Sequence, residues 1–316
     1  MGNPDTAREQ LRKSLEAKPS INALASLFDL TDSLNLRDEL TARAKRDFPD
    51  QFLTHWWLSA WHADRGDYEE SLREVREMDV VAAKTSGGGR NQRQILHEIN
   101  LLAHMGRMQE AEDLLAAETN GRLAPKTDLV WLSNGRATVD GAEWRDTALA
   151  QLAMIREDYE SAIEHSGRAV AAGTNWEYPW DLRFASLIAA GRLDEAEKAV
   201  NRFYGVEGFS RNESPDGIAR LVDIALLRGD LEGAKIRLAE YEKIAGMNYA
   251  DLVRRACLAA ISGDDEHLPA LAKKLECQGP LTRKHLAWCF CMTPGLIDPL
   301  LEKLRQTAAP VKPPSP

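Results

Sequence analysis

His97 and His104 lie seven residues apart, two helical turns, so a helix would hold both imidazoles on one side. Histidine titrates near neutrality, and with Asp181 or Asp223 opposite, such a pair could act as acid and base. The same residues could instead orient a ligand by hydrogen bonds, and that is the expectation, because other catalytic patterns are thin. His97-Glu98 is not followed by a histidine at 101, which is Leu101, so the zinc-protease helix is broken. Gly87-Gly88-Gly89-Arg90 lacks the Gly-Lys-Ser/Thr ending of a phosphate loop and reads as a flexible connector. His285 and Cys289 stand one turn apart with Cys277 and Cys291 nearby, but paired Cys-x-x-Cys knuckles are missing, which favours buried reduced thiols. No catalytic residue, metal or cofactor is expected.

What must position these side chains is a repeated stretch. Gly66-Asp67-Tyr68-Glu69-Glu70-Ser71 recurs as Gly106 to Ala111, Glu157 to Ala162, Gly191 to Ala196, Gly229 to Ala234 and Gly263 to Leu268. In each copy a turn follows one amphipathic helical pattern and a small residue opens the next, with leucine replacing it in the last. Counted on the Ser71 equivalents, the intervals are 40, 51, 34, 38 and 34 residues. The surplus over 34 falls in connectors: Ser86 to Arg90, Lys126 to Gly141, and the surroundings of Arg211 to Ser214. The second carries Leu129-Val130-Trp131-Leu132, too apolar for a purely solvated loop, so Trp131 is expected to pack on a neighbouring helix pair or to cover part of a site.

Those turns and the 34-residue interval make the chain, from about 18 to 306, resemble the tetratricopeptide repeat (TPR) family. The resemblance implies an all-α, right-handed α-solenoid superhelix of about six to seven TPR-like helix-turn-helix repeats. Residues 1–17 form an N-terminal capping helix, 18–306 the array, and 307–316 a disordered Pro-rich tail. Ser214-Pro215 and Asp298-Pro299 each offer a capping side chain followed by a first-turn proline, and the final helices fall at about 281–292 and 296–306.

In the family, the first helix of each unit lines a concave groove that binds the partner. One aligned face runs through Trp56, Ala60 and Ala63, then Leu96, Asn100 and Ala103, then Thr147, Gln151 and Met154. It continues through Asp181, Ala185 and Ile188, then Ala219, Asp223 and Leu226, then Val253, Cys257 and Ala260. His97, His104, Trp144, Tyr178 and Arg220 flank it. The expected groove set is therefore Trp56, His97, Asn100, His104, Trp144, Gln151, Tyr178, Asp181, Arg220 and Asp223, suited to a peptide or helix with aromatic anchors. Of the crowded tryptophans, Trp57 and Trp61 are expected between helices and Trp56 elsewhere. The carboxylate clamp that holds acidic chaperone tails is not expected, since Trp56 and Ala60 occupy its lysine and asparagine sites.

A net charge of −9 argues against a general nucleic-acid or anionic-membrane surface, and neither a leader pattern nor a long apolar run occurs, so a cytoplasmic location is the default. The expected function is non-catalytic binding of a protein or peptide segment, as adaptor, assembly factor or regulator. The alternative is a small-molecule-binding protein or enzyme with a closed central pocket lined by His97, His104, Gln151, Tyr178 and Asp181.

Overall fold

The computed structural model describes residues 4–29, 34–85, 92–118, 128–132, 135–139, 141–172, 177–206, 216–245, 249–276, 280–290 and 293–308. It divides into two compact units, Met1–Leu101 and Leu102–Pro316. The first holds α1 (Pro4–Ala17), α2 (Ile21–Asp29), α3 (Leu34–Asp47), α4 (Phe52–Asp64), α5 (Tyr68–Thr85) and most of α6 (Gln92–His104). The second holds α7 (Met108–Ala117), a hairpin of β1 (Asp128–Leu132) and β2 (Gly135–Val139), then α8 (Gly141–Ile155) and α9 (Tyr159–Ala171). After these come α10 (Glu177–Ala189), α11 (Leu193–Val206), α12 (Asp216–Leu227), α13 (Leu231–Ala245), α14 (Tyr249–Ser262), α15 (Leu268–Glu276), α16 (Arg283–Phe290) and α17 (Pro294–Ala308). The architecture is an all-α repeat fold of TPR-like helix pairs, interrupted among the described residues by that one hairpin.

The repeated stretch is the device that turns each pair. Gly66, Gly106, Gly191, Gly229 and Gly263 all carry φ between 71° and 81°, and Glu157 adopts 60° in their place. The left-handed residue lets the chain reverse so that two carbonyls of the ending helix find donors. In the first copy, Gly66 N–H reaches the Ala63 carbonyl (2.9 Å) and Asp67 N–H the His62 carbonyl (2.8 Å). The same two bonds recur around Gly191 (2.9 and 3.0 Å) and around Glu157 (2.9 and 3.1 Å). Five residues past each turn glycine or its substitute, Ser71, Ala111, Ala162, Ala196, Ala234 and Leu268 are all fully buried, as close packing of paired helices demands.

The core of the first unit centres on Phe28, which meets Trp57 edge-on (4.9 Å, 88°) and Trp61 likewise (5.1 Å, 85°). That geometry sets the positive ring edge of one partner against the negative face of the other. In the second unit, Trp180, Phe184 and Phe203 join α10 to α11, with Ile163, Leu221 and Ile224 around them. A second cluster joins α12 and α14 to α16 and α17 through Leu226, Val253, Cys257, Leu286, Leu296, Ile297 and Leu300.

Two expectations need correction. Within the connector, where only helices were expected, residues 128–132 and 135–139 form β1 and β2, paired antiparallel with Trp131 opposite Arg136. The side chains of the hairpin, Trp131 included, lie outside the described residues. Asp298-Pro299 does not open the last helix, which starts at Pro294 after Thr293, whose carbonyl accepts from Leu296 and Ile297 N–H (3.0 and 3.1 Å). Thr293-Pro294 repeats the pairing of a capping residue type with a following proline, although the Thr293 hydroxyl finds no partner among the described residues, and Pro299 lies inside the helix, where it removes one backbone donor. Ser214-Pro215, Ser86 to Arg90 and the tail 309–316 lie outside the described residues.

Candidate functional site

In the first unit, α4 and α6 bring Trp56 and His97 together, ring centroids 5.4 Å apart and tilted by 50°. Both are half-buried. His97 is fixed from behind: its Nε2 lies 2.8 Å from Ser59 Oγ, which is 3.0 Å from the Ser71 carbonyl. Ser71 Oγ in turn donates to the Ser59 carbonyl at 2.8 Å. The assignment that satisfies both carbonyls puts the proton on His97 Nε2, so Ser59 accepts from the imidazole rather than yielding a proton to it. Ser59 is fully buried, which also removes it as a nucleophile. Asn100, on the next turn of α6, is buried, and its side-chain oxygen meets no donor among the described residues.

A buried ionic clasp lies in the same unit, with no local sequence signal. His55 places Nδ1 2.6 Å from Glu74 Oε2 and Nε2 2.7 Å from the Pro49 carbonyl. Lys45 reaches the other Glu74 oxygen at 2.6 Å. With an acceptor at each ring nitrogen, the geometry suits the imidazolium. The Glu74 hydrogen bond raises the His55 pKa above its ordinary 6.5, against burial, with help from Pro49. Burial pushes Glu74 upward, but His55 and Lys45 outweigh it and hold the carboxyl below 4.5. The residues come from three helices and the α3–α4 corner, so only folding assembles them.

In the second unit the charged groups of the aligned face are already paired with one another or with a neighbouring arginine. Arg220 of α12 donates to Asp181 of α10 and to Asp223 of its own helix (3.4 Å). Arg254 of α14 donates to both Asp223 oxygens at 2.9 Å and to the Ala219 carbonyl at 3.2 Å. Two carboxylates and two guanidinium groups thus form one neutral ladder across α10, α12 and α14. The signal for it was the repeat period, since Arg220 and Arg254 hold equivalent places in successive units.

Trp144, Gln151 and His104 are buried, and Tyr178 is half-buried. Gln151 Oε1 meets no donor among the described residues. Burial drives the His104 pKa down to about 3, assisted by Lys284 and His285, and burial alone drives His285 to about 4. A base with so low a pKa attracts a proton weakly near neutrality, which is poor equipment for acid–base work.

The C-terminal helices cover part of the expected groove. On α12 and α14, Leu226, Val253 and Cys257 of the aligned face pack with Leu296, Ile297 and Leu300 of α17, all three fully buried. Cys257 Sγ contacts the Leu296 carbonyl at 3.7 Å, and a Cβ on Gly295 would come within 2.9 Å of Leu227. Arg283, at the start of α16, pairs with Glu157 (2.8 Å) and Asp298 (3.2 Å). Burying three such aliphatic side chains is worth about 5–9 kcal/mol, so this covering is part of the core. His285 is buried; Cys277, Cys291 and the Cys289 side chain lie outside the described residues, and no metal-ligating cluster occurs among those that are described.

No family model matches the chain, and no curated protein is significantly similar to it. A solved tetratricopeptide repeat protein from Parabacteroides merdae is similar in structure at 10% identity, covering 87% of this chain and 92% of its own, with a TM-score of 0.49. A likeness at that score carries no argument, and the TPR-like architecture stands on this chain's own turns and helix pairs. No helix among the described residues is long and apolar enough to cross a membrane.

Proposed function

We propose that the protein is a non-catalytic scaffold that binds a protein or peptide segment on the helix face carrying Trp56, serving as adaptor, assembly factor or regulator. The observation that supports this reading is the half-buried Trp56–His97 pair, held in place by Ser59 and Ser71. An aromatic side chain fixed on rigid helices loses little freedom when a partner docks, which is what an anchor residue needs. Asn100, on the next turn of α6 from His97, is buried beneath this face and takes no direct part in the proposed contact. In the second unit, taken by itself, the half-buried Tyr178 is a separate candidate contact and Gln151 is buried. Asp181, Arg220 and Asp223 form instead the ladder that fixes helix spacing in the second unit.

The small-molecule or enzymatic alternative draws less support. His104 is held neutral by burial, Asp181 is engaged by Arg220, and His97 is committed to Ser59. The test is affinity capture with immobilised wild-type and Trp56→Ala chains, read by quantitative mass spectrometry after both are shown to unfold at the same temperature. Partners retained by wild type and lost by Trp56→Ala support the reading. An identical partner set discards it.

A further inference from the structure

His55 ties three parts of the first unit together through its two ring nitrogens. Nδ1 lies 2.6 Å from a Glu74 oxygen on α5, and Nε2 lies 2.7 Å from the Pro49 carbonyl at the corner between α3 and α4. A carbonyl can only accept, and the second Glu74 oxygen accepts from Lys45 of α3, as an ionised carboxylate does. Both imidazole nitrogens therefore donate, which only the imidazolium can do. The charges acting on the ring are Glu74 and Glu77 of α5, with Lys45 on the far oxygen of Glu74; Asp50 at the corner is engaged by Lys84 at 3.6 Å.

The two acceptors differ in what each loses when one proton leaves. Glu74 is 2% exposed, so its carboxylate has no water to turn to, whereas Pro49 is exposed and its carbonyl can be hydrated. A proton beside a charge is also held more tightly than one beside a neutral carbonyl. The Nε2 proton is therefore the one released to solvent, and Nδ1 keeps its proton on Glu74. Nε2 then turns a lone pair toward the Pro49 oxygen, and attraction becomes repulsion. What yields is the corner, where Gln51 N–H reaches the Phe48 carbonyl at a long 3.3 Å and Thr54 N–H the Gln51 carbonyl at 3.0 Å. Glu74 still holds α4 to α5, as do Ser59 and Ser71.

We propose that His55 is a proton switch for the α3–α4 corner: the imidazolium pins Pro49 to α4, and loss of the Nε2 proton as pH rises unpins the corner while α4 stays tied to α5. The Glu74 hydrogen bond raises the His55 pKa above 6.5, so the transition falls on the alkaline side of that value. Phe52 and Leu53, the first residues of α4, follow the corner directly, so its release loosens the start of the helix that carries Trp56. The switch acts whether or not a partner docks there.

Two measurements on the full chain test it. In nitrogen NMR spectra of histidine-labelled protein, with His55 assigned through its backbone amide, both ring nitrogens are expected to be protonated at pH 6, and the neutral ring at pH 9 to be the Nδ1–H tautomer. A neutral Nε2–H tautomer would overturn the proposal, because Glu74 rather than Pro49 would then have lost its donor. A ring already neutral at pH 6 would overturn it as well. Hydrogen exchange, with each rate divided by the intrinsic rate at its pH, is expected to show the Gln51 and Thr54 amides about fivefold less protected at pH 9 than at pH 6, with Asp67 and Ser71 unchanged. In His55→Gln, whose amide does not titrate, that difference disappears. Equal protection of the corner at both pH values in wild type, a loss shared equally by Asp67 and Ser71, or a difference that survives in His55→Gln would each contradict the switch.

Discussion

The Arg220 guanidinium lies against the Asp181 carboxylate, with Nε and Nη2 at 3.0 and 2.9 Å from Oδ1 and Nη2 also 3.1 Å from Oδ2. The side chains belong to neighbouring repeats, 39 residues apart, and Arg220 is almost wholly buried. Two of the expected ligand-binding residues therefore spend their polarity on each other.

Removing one partner leaves the other charged and desolvated. Asp181→Ala is expected to cost about 2–4 kcal/mol, because the buried Arg220 guanidinium loses its nearest carboxylate. Asp181→Leu combined with Arg220→Met should recover a large part of that loss, since Asp223 keeps Arg254. Urea unfolding of Asp181→Leu, Arg220→Met and the double variant measures the coupling; additive losses would contradict a direct pair.

The His55 clasp makes a pH-dependent contribution whose sign is fixed by the shifts. His55 is raised above 6.5, so its contribution is complete below 6.5 and is lost as pH rises through the folded-state pKa. Glu74 is lowered below 4.5, so its contribution is complete above 4.5 and is lost as pH falls through its folded-state pKa. The clasp is at full strength between those ordinary values. His55→Gln should lower the melting temperature at pH 6 by several degrees and by less at pH 9, measured by circular dichroism.

Two other histidines act in the opposite sense. His104 and His285 are depressed to about 3 and about 4, so the folded state holds them neutral where the unfolded chain already binds protons. Their contribution is present above 6.5 and is lost as pH falls from 6.5 toward those values. Acidification from pH 6.5 to 4.5 is expected to destabilise the wild type more than His285→Leu, with calorimetry across that range as the measurement. Equal slopes would remove His285 from the account.

Glu157 stands where the other five turns have glycine, at φ 60°. A side chain in the left-handed region costs about 1 kcal/mol or slightly more, and the half-exposed pair with Arg283 returns less than that. Glu157→Gly should therefore raise stability by about 0.5–1 kcal/mol. Gly191→Ala, at φ 73° with nothing within 4 Å of the added Cβ, should lower it by about 1–2 kcal/mol through backbone conformation alone. Chemical denaturation of both variants gives the two signs.

The helix pairs were legible in the sequence because their causes are local. A glycine admits the left-handed turn, the residue five places on is small because two helices touch there, and the apolar period sets which side is buried. From these the six turns from Gly66 to Gly263 could be placed, Glu157 included, although its identity gave no hint of glycine-like geometry. The four-residue spacing of Trp57 and Trp61 put both on one side of a helix and between helices; that Phe28 is their partner came from the structure.

The candidate sites were legible only as far as one helix face can be read. Spacing placed Asp181, Arg220 and Asp223 on aligned helices, but whether they met one another or a ligand depended on how neighbouring repeats stack. The covering of α12 and α14 by α17 and the His55–Glu74 clasp both join residues from separate helices. Burial and pairing between distant segments are set by three-dimensional packing and leave no period in the chain. The sequence alone determined a TPR-like array of helix pairs and the face on which partners were to be sought. Only the tertiary structure decided which polar groups on that face are satisfied internally, because desolvation and charge pairing act over a few ångströms between segments tens of residues apart.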